Sequence, residues 1–228
     1  MPRYSFVYLA SQSPRRKQLL EQLGIKFELL LPDASEDAEA LEVAHLHEKP
    51  RAYVQRVTAL KLEAALLRLK NRGLTPAPVL CSDTTVALGD KLFGKPDSAN
   101  HAKEMLRQLS GKTHRVLTAV SIGTLRKQCH ALSISKVQFA ELSKQDIDRY
   151  VASQEPMGKA GAYAVQGKAA GFISHTSAET IRDSWVCLCL KRRICCENSG
   201  LPFNPRHLYH ATRHTDQLVT ARNAGGGC

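Results

Sequence analysis

Short apolar runs alternate with stretches of helical period along the first 175 residues of this 228-residue chain. Phe6-Val7-Tyr8-Leu9-Ala10 suits a buried strand. Ser13-Pro14 then opens a helix, with Ser as N-cap and Pro at the first helical position. Leu19, Leu20 and Leu23 line one face of that helix, and Gly24 is placed to end it. Lys26 to Leu31 reads as a second strand. A long helix is predicted from Pro50 to about Lys70, with Val54, Val57, Lys61, Ala64 and Ala65 near one face. Pro76 and Pro78 break the chain before a strand over Val79–Leu88.

A helix from Ser98 to Leu109 follows, stopped by Ser110-Gly111. Two strand-like segments, Arg115–Leu125 and Cys129–Phe139, are spaced as a hairpin. Ser143 and Asp146 have capping-box spacing ahead of a helix to about Ser153. Ala162–Gln166, between Gly161 and Gly167, is expected to be a short strand. The sum is an α/β domain with a mixed central sheet and flanking helices.

Composition narrows the class. No apolar run approaches the ~18–20 residues that span a bilayer, and the N-terminus does not read as a signal peptide. A cytoplasmic protein is the default expectation, with no membrane partner. The net charge of +11 suggests an anionic ligand. Its Lys and Arg are spread along the chain without aromatic interleaving, which favours small anions over nucleic acid.

Four segments could carry chemistry. Ser11-Gln12-Ser13-Pro14-Arg15-Arg16-Lys17 delivers a strand into a helix N-terminus, whose free N–H groups attract phosphate. Arg15 and Arg16 oppose the helix dipole there, and an anion would relieve that cost; a capped helix with solvated arginines is the plainer reading. Cys81-Ser82-Asp83-Thr84-Thr85-Val86 sets an acid inside an apolar strand, where it is costly without a partner. Ligating a metal or activating water would explain it, as would satisfaction by backbone N–H groups. Gly94-Lys95-Pro96 and Ser110-Gly111-Lys112-Thr113-His114 are turns that each display a Lys. Glu155-Pro156, Lys159-Ala160-Gly161-Ala162-Tyr163 and Gln166-Gly167 form a Gly-rich stretch: Lys159 could hold phosphate and the Gln166 amide could read a base edge. Neither a Walker loop nor GxGxxG occurs. The residues suit an α/β enzyme acting on a phosphorylated substrate.

Together, LASQSPRRKQLLEQLG, SDTTV, GKP, QLSGKTHRVLTAV and EPMGKAGAYAVQG resemble, in order and spacing, the Maf family of nucleoside triphosphate pyrophosphatases. The resemblance covers roughly residues 5 to 175 and implies a Maf/ITPase-like fold. It implies hydrolysis of a nucleoside triphosphate to the monophosphate and pyrophosphate, assisted by Mg²⁺ or Mn²⁺. On that likeness Asp83 is the catalytic acid that accepts the proton of the attacking water. Arg15, Arg16, Lys61, Lys95 and Lys159 are cations around the triphosphate, and Ser11 belongs to the phosphate-binding turn. Glu36 fits a second acidic position serving metal or water beside Asp83, while Arg15, Thr84 and Gln166 fall where substrate choice is made. SDTTV and KAGAYAVQG look like the branch acting on dTTP and UTP; the alternatives are 7-methyl-GTP as substrate, or a nucleotide-binding or inactive product without turnover. The resemblance also suggests a homodimer.

The ending departs from the family. After Ala170-Gly171-Phe172-Ile173-Ser174-His175 the pattern I-x-G-x-Y, then G-L-P-L and a final helix, is expected; the chain instead reads Thr176-Ser177-Ala178-Glu179-Thr180 and on to Trp185. When Thr176–Gly200 is back-translated with permitted codons, the frame shifted to the third base reads IRGNYSGFMGLPLFETADLLRKFG. That string restores the expected ending, and the same frame admits a stop across Phe203-Asn204. Residues 1–175 therefore read as the pyrophosphatase domain and 176–228 as an out-of-frame, poorly ordered tail.

Cys187, Cys189, Cys195, Cys196, His207, His210 and His214 fit no standard zinc spacing and follow from the shifted frame. Uncovering even ~400 Å² of apolar surface would cost on the order of 10 kcal/mol. This predicts a chain destabilised or inactive relative to its parent.

Overall fold

The computed structural model describes residues 4–177 except Ser35 and Ala38. In chain order it contains β1 (Val7–Leu9), α1 (Pro14–Gln22), β2 (Phe27–Leu29), α2 (Pro50–Asn71), β3 (Val79–Leu88) and β4 (Lys91–Phe93). There follow α3 (Ala99–Leu109), β5 (Thr113–Gly123), β6 (Gln128–Phe139), α4 (Lys144–Ala152) and β7 (Ile173–Ser177). The expectations about the tail beyond Ser177 and its Cys and His residues fall on positions outside the described residues, whereas Thr176 and Ser177, also assigned to that tail, end β7 and are held in register with β6 at Val137 and Lys136. Among the described residues, no helix is long and apolar enough to cross a membrane.

The strands make one mixed sheet in the order β2-β1-β3-β5-β6-β7, with β4 paired to β3. β1 runs parallel to β2 and β3, as strands joined through helices do, and the β3-β5-β6-β7 part is antiparallel. The predicted hairpin is β5-β6, in continuous register from Thr113↔Gln138 to Gly123↔Gln128.

Side-chain alternation along β3 divides the molecule. Val79 and Cys81 pack with Leu62, Ala65, Leu66 and Leu69 of α2, and Ala87 packs with Val54. These α2 residues recur at helical spacing, so one stripe of the helix lies on the sheet. On the other face Leu80 meets Leu19 and Leu20 of α1, while Val86 joins Ala102, Met105, Leu106 and Leu109 of α3 and Ile147, Tyr150 and Val151 of α4. Asp83 and Thr84, adjacent in sequence, therefore point to opposite faces.

Two expectations need correction. Ala162–Gln166 is not a strand: Gly161 (φ 69°) and Ala162 (φ 59°) have left-handed backbone, and short 3₁₀ turns occupy Ala160–Ala162 and Lys168–Phe172. Two consecutive residues in that conformation turn the chain, so no extended ladder can form. The strand in this part of the chain is β7, on the far side of that turn. In the first helix Ser13 occupies the N-cap without a side-chain cap bond. Ser11 supplies the hydroxyl, its Oγ accepting from the Ser13 N–H at 3.3 Å.

The SGKTH turn also proves to be a packing device. His114, 1% exposed, meets Phe139 and Tyr163 edge-to-face and shares a 2.7 Å hydrogen bond between Nε2 and the Tyr163 hydroxyl. Burial lowers its pKa to about 4, only partly offset by the Lys112 backbone. An unfolded imidazole titrates near 6.5, so between pH 6.5 and 4 the unfolded chain binds more protons and stability falls as the pH drops. The full effect is on the order of 3 kcal/mol. Urea unfolding at pH 7, 5.5 and 4.5 should show this slope in the wild type and a shallower one in His114→Gln; equal slopes would exclude His114 as its source.

Candidate active site

At the carboxyl end of β1 the chain turns through Ser11 into α1, beside the stretch of β3 that runs on past it. Ser11 is buried, and its Oγ accepts a 2.9 Å hydrogen bond from a terminal nitrogen of Arg16. The Arg16 guanidinium lies deep enough for burial to lower its pKa, and Asp83, Cys81 and Glu42 oppose that shift. Arg15, one residue earlier, also has its pKa lowered by burial, countered by Glu155. The two arginines thus feel different acids, Arg16 those of the α2 face and Arg15 that of Glu155.

Asp83 stands in the middle of β3, opposite Ala119 of β5, with its side chain 13% exposed. Its Oδ1 accepts from Lys61 Nζ at 2.6 Å. Lys61 lies in one helical row with the buried Val57 and Ala65, so its stem is covered by apolar neighbours and its ammonium emerges at the acid. The same ammonium donates to Glu42 Oε1 at 2.8 Å, and Lys95 Nζ donates to Glu42 Oε2 at 2.8 Å. Burial opposes the charge on Lys61, but Asp83 and Glu42 outweigh it and raise its pKa. For Glu42, burial works against ionisation, and the bonds from Lys61 and Lys95 overcome it.

Glu42 is the functional candidate that the sequence did not single out. It belongs to an acidic run, Glu36, Asp37, Glu39 and Glu42, in which spacing alone cannot choose. Helix α2 makes the choice: the Tyr53 hydroxyl donates to the Glu42 carbonyl at 2.8 Å, and Arg56 donates to the Val43 carbonyl at 2.9 Å. Arg56 also grips both oxygens of Glu48 at 2.7 Å, holding that carboxyl down to about 2.

Glu36, expected beside Asp83, is placed elsewhere. Arg68, two helical turns along α2 from Lys61, holds both of its oxygens, with contacts of 2.6 to 3.0 Å. Arg68 also donates to the Leu30 carbonyl at 2.9 Å, so this pair braces the chain leaving β2. The second acid near Asp83 is Glu42.

The remaining candidates lie around these groups. Gly161 N–H donates to the Gly94 carbonyl at 2.9 Å, which brings the stretch carrying Lys159 against the GKP turn carrying Lys95. A Cβ on Gly161 would come within 2.9 Å of Val86, so only glycine permits this approach. Thr84 Oγ1 is 3.1 Å from Thr118 Oγ1 on β5. Gln166 is exposed on the turn between Ala164 and Lys168. Cys81, beneath Asp83, is a packing group: burial pushes its thiol up to about 12.

Among the described residues no group of three or more His, Cys, Asp or Glu is gathered to hold a metal. Two carboxylates sharing one ammonium nevertheless suit a hard cation that takes its other ligands from phosphate and water, as Mg²⁺ does. Asp83 and Glu42 are the acids that could hold one, with Lys61 and Lys95 already on three of their four oxygens.

Residues 6–181 match the family described as Maf-like protein. The dTTP/UTP pyrophosphatase of Albidiferax ferrireducens is 66% identical over 172 residues, 75% of this chain and 86% of that one. The dTTP/UTP pyrophosphatase of Polaromonas sp. is 62% identical over 177 residues, 78% and 88% of the two chains. That of Cupriavidus metallidurans is 60% identical over 169 residues, 74% and 84%. Among solved structures, the Staphylococcus aureus Ham1 protein overlays 59% of this chain and 72% of its own at a TM-score of 0.39 and 12% identity. The family match spans the strand acid, both arginines and the lysine-bearing turns, and the chain belongs to the Maf family.

Proposed function

We propose that this chain is a nucleoside triphosphate pyrophosphatase that hydrolyses dTTP and UTP to the monophosphate and pyrophosphate. The observation that carries the reading is the chain of contacts Asp83–Lys61–Glu42–Lys95, flanked by Ser11 and Arg16. A carboxylate fixed through one oxygen by an ammonium is oriented to take a proton from water with the other. Cations gathered beside it stabilise negative charge as pyrophosphate leaves the α-phosphorus. The names of the relatives, all above half identical, support dTTP and UTP as substrates.

In this reading Asp83 is the base, and Lys61 fixes its orientation while neutralising a phosphate oxygen. Arg16, Lys95 and Lys159 hold the rest of the triphosphate, with the Ser11 turn against it. Arg15 and Gln166, with Thr84 on the other face of β3, meet the base and sugar. A divalent cation held by Asp83 and Glu42 would supply Lewis-acid stabilisation of the phosphate oxygens. We read residues 1–175 as the catalytic domain and 176–228 as translated out of frame, a reading supported by the family match ending at residue 181.

The deciding assay is pyrophosphate release by the full 228-residue chain with Mg²⁺ or Mn²⁺, offered dTTP, UTP, CTP, ATP and 7-methyl-GTP in turn. Selective turnover of dTTP and UTP is expected. Preference for 7-methyl-GTP, or no release from any nucleotide, would overturn the reading for this chain.

A further inference from the structure

We infer that Glu155 is a positioning residue that holds the turn carrying Gln166 in the geometry that selects the base. The inference rests on the proposed nucleotide specificity and extends it to a residue that need not touch the nucleotide.

The observations converge on one half-buried carboxylate. Its Oε1 accepts from the Tyr150 hydroxyl at 3.1 Å, and its Oε2 accepts from the Lys168 N–H at 3.1 Å. Tyr150 in turn accepts from the Ala164 N–H at 3.3 Å. Ala164 and Lys168 lie two residues to either side of Gln166, and Gly167 N–H closes the turn onto the Ala164 carbonyl at 2.9 Å. Glu155 therefore anchors both ends of a turn whose apex presents the Gln166 amide.

The space is matched to the carboxylate as well. A Cβ on Gly167 would sit 2.0 Å from Glu155 Oε1, so glycine is required for the carboxylate to lie across the turn. The charge of Glu155 also reaches Arg15, whose guanidinium it helps keep protonated against burial. All of this lies away from Asp83, Lys61 and Glu42, which occupy the α2 face of the sheet.

The test compares wild type, Glu155→Ala, Glu155→Gln and Gly167→Ala as full chains, with kcat and KM measured on UTP, dTTP and CTP. UTP and CTP differ only at the base edge. Glu155→Ala and Gly167→Ala should each raise KM for UTP about tenfold and reduce the UTP-over-CTP preference about tenfold, the loss expected when one anchored polar contact to the base is freed. Their kcat should remain within about threefold of wild type, because the α2-face groups are untouched. Glu155→Gln keeps a carbonyl acceptor for Tyr150 or Lys168 and should recover at least half of the lost preference on a logarithmic scale.

An unchanged preference in both Glu155→Ala and Gly167→Ala would overturn the inference. So would an equal fall in kcat on all three nucleotides with preference intact, the mark of a brace alone. Failure of the functional reading is visible separately, in a wild-type chain that does not prefer UTP over CTP.

Discussion

Asp83→Asn is expected to lower kcat for dTTP hydrolysis by about 10²–10⁴-fold, the range spanned by removal of a general base. Nucleotide binding should change far less. The amide keeps an oxygen for Lys61, whose other partner, Glu42, remains in place. What is lost is a group able to accept the proton of the attacking water. Steady-state kinetics together with calorimetric binding of a non-hydrolysable dTTP analogue would separate the two effects. A variant with normal kcat, or one whose entire defect lies in binding, would remove Asp83 from the role of base.

Lys61→Met should produce the second large effect, of a different kind. Methionine keeps much of the apolar stem between Val57 and Ala65 but leaves Asp83 and Glu42 as neighbouring carboxylates without their shared cation. Like charges in one pocket raise the pKa of at least one member. Glu42, whose carboxyl Lys61 and Lys95 hold below the usual range against burial, should therefore titrate at higher pH in the variant. Loss of the ammonium from the phosphates should also raise KM by about 10- to 100-fold, corresponding to roughly 1.4–2.8 kcal/mol. The Asp83 and Glu42 side chains retain 13% and 27% exposure, so water screens part of the repulsion and the stability loss should stay near 1–3 kcal/mol. A KM that matches wild type would show that Lys61 does not meet the substrate.

Much of this architecture was legible in the chain because the signals are local. Val79–Leu88 was set off by Pro76 and Pro78, and it is the strand β3. Ser143 and Asp146 form the capping box that their spacing implied. Lys61 fell on the predicted face of the long helix with Val54, Val57, Ala64 and Ala65, and it reaches the acid on β3. The misread segment was Ala162–Gln166, whose short apolar run has no period to distinguish a strand from a turn. The left-handed backbone at Ala162 is held by partners distant in sequence: Gly94 for Gly161, His114 for Tyr163, and Tyr150 for Ala164.

The sequence by itself determined the four helices and the strands β1, β2, β3, β5 and β6, the acid on the central strand, the cationic turns and, through five motifs in order, the family. Each of these is a property of residue type and spacing within a few turns or strands. Tertiary structure decided which acid joins Asp83, since Glu36 and Glu42 are equivalent in sequence. Arg68 and Lys61, two turns apart on one helix, claim one each. It also decided that Asp83 and Thr84 serve opposite faces of one sheet and that Glu155 spans the Gln166 turn. Those outcomes depend on charges and hydrogen bonds between segments far apart in the chain, and such pairings exist only once the sheet has brought the segments together.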